Sequence, residues 1–304
     1  MITFSILTMK KSKICIGIID IGSNSVRARA FADGKILYNG LYTTRLGEGL
    51  ARGNSLTERS KARTIEAINL LKAALIDVGA SEIYAFATEA IRSADNGAEF
   101  VKECLSATGV NIDVVRGDEE GELALLGAVG NSDGGVIDVG GASAEVSVVK
   151  NGRIIYSHSL PLGAVRLYGK CGEDEESLKL AVGERINEYG EIPRDVKFYA
   201  VGGTATTVAA LDIGLCEYDA DKVDGHILTI DSFERDYALI KSCDRSDRVN
   251  VLGINPKRAD IIPCGAYMLL SIMRYADIKE ITVKESDNLL GYLKKKVYGV
   301  SYEK

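Results

Sequence analysis

The pattern of apolar and polar positions repeats itself along this chain. The run Ile18-Ile19-Asp20-Ile21-Gly22 returns in character as Val136-Ile137-Asp138-Val139-Gly140, an offset of 118 residues from Asp20 to Asp138. Without gaps, that offset also aligns Ser25 with Ser143, Gly34 with Gly152, Lys35 with Arg153, Ile36 with Ile154 and Tyr38 with Tyr156. Each copy reads as a buried strand, a tight Asp-x-Gly turn, an alternating strand, a hairpin turn at Asp33-Gly34 or Asn151-Gly152, and a third strand.

Helical periodicity follows each copy. Between Thr57 and Val78 the apolar residues Ile65, Ile68, Leu71 and Leu75 fall on one face, and Ile83 to Thr88 then reads as a strand. In the second half a helix is expected around Ser177 to Tyr189, a strand over Val196 to Val201 and another helix after Gly203. The alternation predicts a three-layer α/β fold made of two similar domains with a ligand cleft between them.

Composition narrows the function classes. At 304 residues, 46% apolar and 26% charged, the chain is long enough for two cores. Its longest apolar runs, such as Ile261 to Met273, fall short of the roughly 20 residues that span a bilayer, so no membrane partner is expected. A short apolar run opens the chain, but Lys10, Lys11 and Lys13 follow rather than precede it, which disfavours a leader peptide and leaves Met9 as an alternative start. Six scattered cysteines show neither zinc nor disulfide spacing and suit a reducing cytoplasm. Two isolated histidines, His158 and His226, make no transition-metal cluster. A net charge of −6 argues against nucleic acid, so an anionic substrate needs a local positive site.

The candidate chemistry sits in the turns. Asp20-Ile21-Gly22-Ser23-Asn24-Ser25 and Asp138-Val139-Gly140-Gly141-Ala142-Ser143 are built of small residues whose backbone N–H groups and hydroxyls can approach phosphate oxygens. A third turn, Gly202-Gly203-Thr204, ends a strand and opens a helix, where free N–H groups and the helix dipole favour an anion; Thr204 can instead be a simple cap. Aspartates at the ends of buried strands are costly to desolvate without purpose, which makes Asp20 and Asp138 candidate partners of a magnesium ion. Arg92, closing the strand from Ile83, can pair with phosphate, although from the residues alone a solvated surface arginine is the more ordinary reading. The acidic start Asp118-Glu119-Glu120 favours a helix N-terminus through the dipole, yet a carboxylate pointing into a phosphate cleft can deprotonate water. Glu145, five residues past Gly140, can share that task or hold magnesium.

Together these segments resemble the exopolyphosphatase and guanosine-pentaphosphate phosphatase family. The matching pieces are DIGSNSVR at Asp20, ATEAIRSADN at Ala87, GDEEGEL at Gly117, DVGGASAEV at Asp138, LPLGAVRL at Leu160, VGGTATTVAAL at Val201 and NPKRADIIPCGA at Asn255. The resemblance runs from about Ile16 to Gly291 and implies duplicated actin-like (ribonuclease H-like) domains: one over residues 1–120, another over 121–291, and a C-terminal helix at about 292–304 packing back on the first. It implies Glu120 as catalytic base with Glu119 as fallback, Glu145 as its counterpart on the second turn, and Arg92 with both turns as the phosphate and magnesium environment. The implied reaction is metal-assisted release of terminal phosphate from polyphosphate or guanosine pentaphosphate.

The sequence departs from the family pattern at Glu122 (usually arginine), Ala142 (glycine) and Ala144 (threonine). Near the end, Lys284, Asp287 and Leu289 replace a serine, a glycine and an arginine. Chain length matches the short form that lacks extra helical domains. An actin-like ATP-dependent kinase and a nucleotide or polyphosphate sensor without catalysis stay open as alternatives. The Lys294-Lys295-Lys296 run is expected to be a solvated helix face. A homodimer is the default assembly.

Overall fold

The structure is a computed structural model that describes residues 14–250 and 252–303. The start-site and leader readings over Met1 to Lys13 lie outside the described residues. The expected duplication is present. In the first half, β1 (Ile16–Ile21), β2 (Ser25–Ala32), β3 (Lys35–Thr43), β4 (Glu82–Ala87) and β5 (Ile112–Val114) form a sheet in the order β3-β2-β1-β4-β5. In the second, β6 (Gly134–Val139), β7 (Ala144–Lys150), β8 (Arg153–Leu160), β9 (Phe198–Val201), β10 (Ile227–Thr229) and β11 (Glu280–Val283) pair in the order β10-β11-β9-β6-β7-β8. The first three strands of each sheet are antiparallel, and β4 and β9 pair in parallel with β1 and β6. Both halves thus share one α/β, actin-like strand order, with β10 added to the second.

The repeat holds down to single hydrogen bonds. Gly22 N–H donates to Ser25 C=O and Gly140 N–H to Ser143 C=O, each at 3.0 Å and 118 residues apart. Both hairpins shift register at equivalent places, between Ala30 and Phe31 and between Val148 and Val149. The turn residues Asp33 and Gly34 have φ of 50° and 73°, and Asn151 and Gly152 have 51° and 74°, the left-handed pair that a two-residue hairpin requires.

The helix Glu58–Asp77 is capped by Thr57, whose hydroxyl accepts from Ser60 N–H, and buries Ile68, Leu71 and Leu75 against the first sheet. The expected domain boundary at 120/121 falls inside one continuous helix, Gly117–Ala128, which packs on β6, β7 and β8. The chain therefore passes from one sheet to the other through a helix rather than a linker. This helix also packs on the short helix Asn288–Tyr292, where a Cβ on Gly291 would come 1.9 Å from Leu123 C=O. Leu289, Tyr292 and Leu293 join Ile16, Ile18 and Phe86 in a cluster of the first half, with Tyr292 stacked on Phe86 at 4.7 Å between ring centroids. At about 1.5–3 kcal/mol per buried side chain, these three residues hold the C-terminal segment down.

The expected C-terminal helix over 292–304 is shorter than its lysine-rich pattern suggests. The Asn288–Tyr292 helix continues only as a wider turn over Leu293–Val297, and Glu303 then bridges to Arg153 at the start of β8. The lysines form a solvated face only in part: Lys294 and Lys295 are half-buried, and Lys296 is exposed. Lys294 donates to Leu126 C=O, Lys295 pairs with Glu122 and Lys296 with Asp113. Among the described residues no helix is long and apolar enough to cross a membrane.

Candidate functional site

The three glycine turns meet between the two sheets. A cavity there is lined by Asp20, Gly22, Ser23, Asn24 and Ser25 from the first turn, and by Asp138, Gly140, Gly141 and Ser143 from the second. Gly202, Gly203 and Thr204 of the third line it too, as does Glu120. The turns touch each other directly: a Cβ on Gly141 would lie 2.8 Å from Ser23 Cβ and 3.1 Å from Asn24 N. Gly202, at φ +83°, brings its backbone so close that a Cβ would sit 2.6 Å from Asp138 Oδ1. No side chain caps the helix Gly202–Ile213, whose first three residues line the cavity, so its first N–H groups have no side-chain acceptor; the Thr204 hydroxyl donates to Val139 C=O at 3.2 Å instead of capping.

The two halves treat equivalent residues in opposite ways. Cross-strand pairing sets Arg27 opposite Asp20 and, 118 residues on, Glu145 opposite Asp138. In the first half Arg27 donates from Nε to Asp20 Oδ2 at 3.1 Å and also pairs with Asp287. In the second, two buried carboxyl groups face each other, a destabilising arrangement. Burial, and then Asp138, push Glu145 up to about 8; burial, with Asp287 and Asp20 beyond the opposing pull of Arg27, pushes Asp138 up to about 7. Glu145 Oε1 accepts from the Ser159 hydroxyl at 2.6 Å, while Oε2 is buried without a partner among the described residues. Asp138 Oδ2 accepts from Asn288 at 3.1 Å.

Glu120 is 6% exposed and held well above its ordinary value by burial and by Glu145, against the opposing pull of Arg92. Arg92 reaches Glu120 Oε2 at 3.3 Å, donates to Val115 C=O at 2.6 Å and grips Glu89 Oε2 through Nη2 at 2.7 Å. It therefore supports Glu120 from behind and is not among the residues lining the cavity. Three other expected site residues also stand off the lining. Glu119 accepts from Arg116 N–H at 3.2 Å as part of the helix start, Ala142 is buried in the apolar cluster of the first half, and Glu145 is buried across the strand pair from Asp138.

Arg258, in the segment that starts at Asn255, also lines the cavity. Its guanidinium lies over Gly203, where a Cβ would be 1.9 Å from Nη1, and it has no carboxylate partner among the described residues. Burial, and Arg27 nearby, push it down to about 10, which leaves it charged at neutral pH and short of a counter-ion. Arg258 also lines a second cavity of about 440 Å³ on the far side of Gly202 and Gly203. That cavity has an apolar wall of Leu41, Leu211, Leu215 and Ile254, with Tyr218 at its side. Its lining also carries the charged residues Arg27, Arg29 and Lys284, with Glu285 and Asp287.

Seven ordered motifs, a doubled phosphate-type turn and a buried glutamate beside it coincide with a match to one family over residues 29–287. The chain belongs to the Ppx/GppA phosphatase family. It is 28% identical over 314 residues to exopolyphosphatase 2 of Mycobacterium tuberculosis, covering 91% of this chain and 96% of that one. It is 25% identical over 284 residues to a guanosine-5'-triphosphate,3'-diphosphate pyrophosphatase of Photobacterium profundum, covering 87% of this chain and 56% of that one. The chain thus spans about half the length of longer curated relatives. The crystal structure of an Aquifex aeolicus Ppx/GppA member superposes with a TM-score of 0.77 at 26% identity, over 95% of this chain and 99% of that one. The named homologues are hydrolases.

Three of the departures from the expected family pattern have local partners. Leu289, where the family has arginine, is fully buried in the cluster around Phe86. Asp287, in place of glycine, binds Arg27 and Arg29. Glu122, in place of arginine, receives Lys295 at 2.8 Å.

Proposed function

We propose that this Ppx/GppA chain is a phosphohydrolase that releases terminal phosphate from a polyphosphate chain or a nucleoside polyphosphate in the cavity between the two sheets. The observation that carries the reading is the convergence of three backbone N–H turns on one cavity that also holds a buried glutamate. The turns and the free cation of Arg258 bind and orient phosphate oxygens. Glu120, at the cavity wall, takes a proton from the attacking water; a carboxylate whose affinity for protons is raised is the better base near neutrality. Developing charge on the transferred group falls on backbone dipoles already in place.

The donor set also fits magnesium. Two facing carboxyl groups, one with a buried oxygen that has no partner, suit a hard cation. Among the described residues no three His, Cys, Asp or Glu converge, so Asp138 and Glu145 would supply at most two ligands, with water and phosphate completing the shell. When bound, the ion would neutralise charge on the phosphate oxygens.

Between the candidate substrates, the apolar wall of the second cavity supports guanosine pentaphosphate, the substrate class in the name of the Photobacterium relative. It offers Tyr218 and aliphatic surface to a base, whereas inorganic polyphosphate has no apolar part. Phosphate release from guanosine pentaphosphate, short polyphosphate, long polyphosphate and ATP, each with magnesium, tests both steps. Release from guanosine pentaphosphate faster than from polyphosphate is expected. Release from none of them by folded protein overturns the phosphatase reading in favour of a sensor.

A further inference from the structure

Glu89 opens the one-turn helix Glu89–Arg92 in the first half and faces two arginines from opposite sides. Its Oε2 accepts from Arg92 Nε at 3.2 Å and Nη2 at 2.7 Å. Its Oε1 lies 3.3 Å from Arg166 Nη2, on the helix Ala164–Cys171 of the second half. Arg166 is anchored in turn by Ser93 Oγ at 3.0 Å and Pro161 C=O at 3.3 Å. All three side chains are mostly covered, at 12% exposure for Glu89, 22% for Arg92 and 20% for Arg166. Glu89 is not among the residues lining the phosphate cavity.

We propose that Glu89 is a positioning residue: it clamps the Nε–Nη2 edge of Arg92 so that Nη1 faces Glu120, and Arg166 from the opposite half holds the clamp in place. An arginine side chain carries about 2 kcal/mol of rotamer entropy and keeps one orientation only when its fork is gripped from more than one side. Here Val115 C=O fixes one nitrogen and Glu89 fixes the other two, which leaves Glu120 as the remaining partner of Nη1. Because Glu89 bridges the halves, the alignment of Glu120 depends on their being closed on each other. A carboxylate that merely filled space would need no second arginine from across the cleft.

The kinetic arm rests on the phosphatase reading, and a spectroscopic arm does not. Glu89→Gln keeps the shape and loses the charge; Arg166→Met leaves Glu89 intact and removes its far anchor. With 15N-labelled arginine, and Arg92→Lys to assign the signal, Arg92 Nε–H should be sharp and slow to exchange in the parent protein and broadened in both variants. In phosphate release, each variant should lose roughly 10-fold or more in kcat, as outer partners of site residues do. KM should stay within about twofold, and the double variant should be no worse than either single, as expected of one coupled unit. An unchanged Arg92 signal overturns the proposal, as do additive losses or a rise in KM at constant kcat. If the parent protein hydrolyses none of the substrates, the phosphatase reading falls and the Arg92 signal alone decides the clamp.

Discussion

Replacing Glu145 with glutamine should flatten the pH dependence of stability while removing turnover. The folded protein holds the proton of Glu145 up to about pH 8, against an ordinary value of 4.5. A carboxyl whose folded pKa is raised binds its proton more tightly when folded. The stability it contributes is therefore complete below about 4.5 and is lost as pH climbs to about 8. Per proton the slope is about −1.4 kcal/mol per pH unit, so by pH 7 the metal-free protein should have lost about 3 kcal/mol that Glu145→Gln never had to lose. Glu120 responds in the same direction, because Glu145 is one of the causes of its own raised affinity. Urea unfolding followed by circular dichroism at pH 5, 6 and 7, with chelator present, reads the difference directly. Magnesium should remove most of the slope from the parent protein, because a cation favours the unprotonated pair. Parallel curves for parent and variant between pH 5 and 7 would refute the reasoning, since they would mean that Glu145 is ionised in the fold without a cation.

Glu120→Gln should cost about 10²–10⁴ in kcat while substrate affinity, read by calorimetry, stays near the parent value; equal turnover removes Glu120 as base. Arg258→Met should raise the Kd of phosphate substrates by roughly 10-fold or more, as for a charge-assisted hydrogen bond, and Arg258→Lys should recover part of it. Gly291→Ala should destabilise the protein by about 1–3 kcal/mol in urea, because the new methyl meets Leu123 C=O, which belongs to a helix that cannot retreat. Tyr292→Ala should cost about 3–5 kcal/mol through the lost stack on Phe86.

The duplication was legible because local chemistry sets it: Asp-x-Gly turns and Asp-Gly or Asn-Gly hairpins recur 118 residues apart, and the structure adds a shared register shift. The cavity-lining turns were legible for the same reason. What escaped were pairings across long stretches of chain. Nothing near Lys295 in the sequence announces Glu122, 173 residues earlier, so the run reads as a solvated face although Lys294 and Lys295 are half-buried against partners. The family resemblance implies Arg92 as a phosphate ligand, and its strand-end place alone suggests a surface arginine; in the fold its direction is set by Glu89 and Val115. Glu119 and Glu120 are neighbours with different fates because consecutive helical positions point about 100° apart: one closes the helix start, the other enters the cavity.

Arg27 and Glu145 occupy the same position of the repeat, and their opposite signs break a symmetry that the backbone keeps. A cleft with arginine at both places would carry two permanent counter-ions and would grip a phosphate product as firmly as the substrate. A cleft with glutamate at both would repel each. On the proposed magnesium reading, one arm carries its own positive charge and the other takes it from the ion, so the affinity of the cavity for anions would follow the ion.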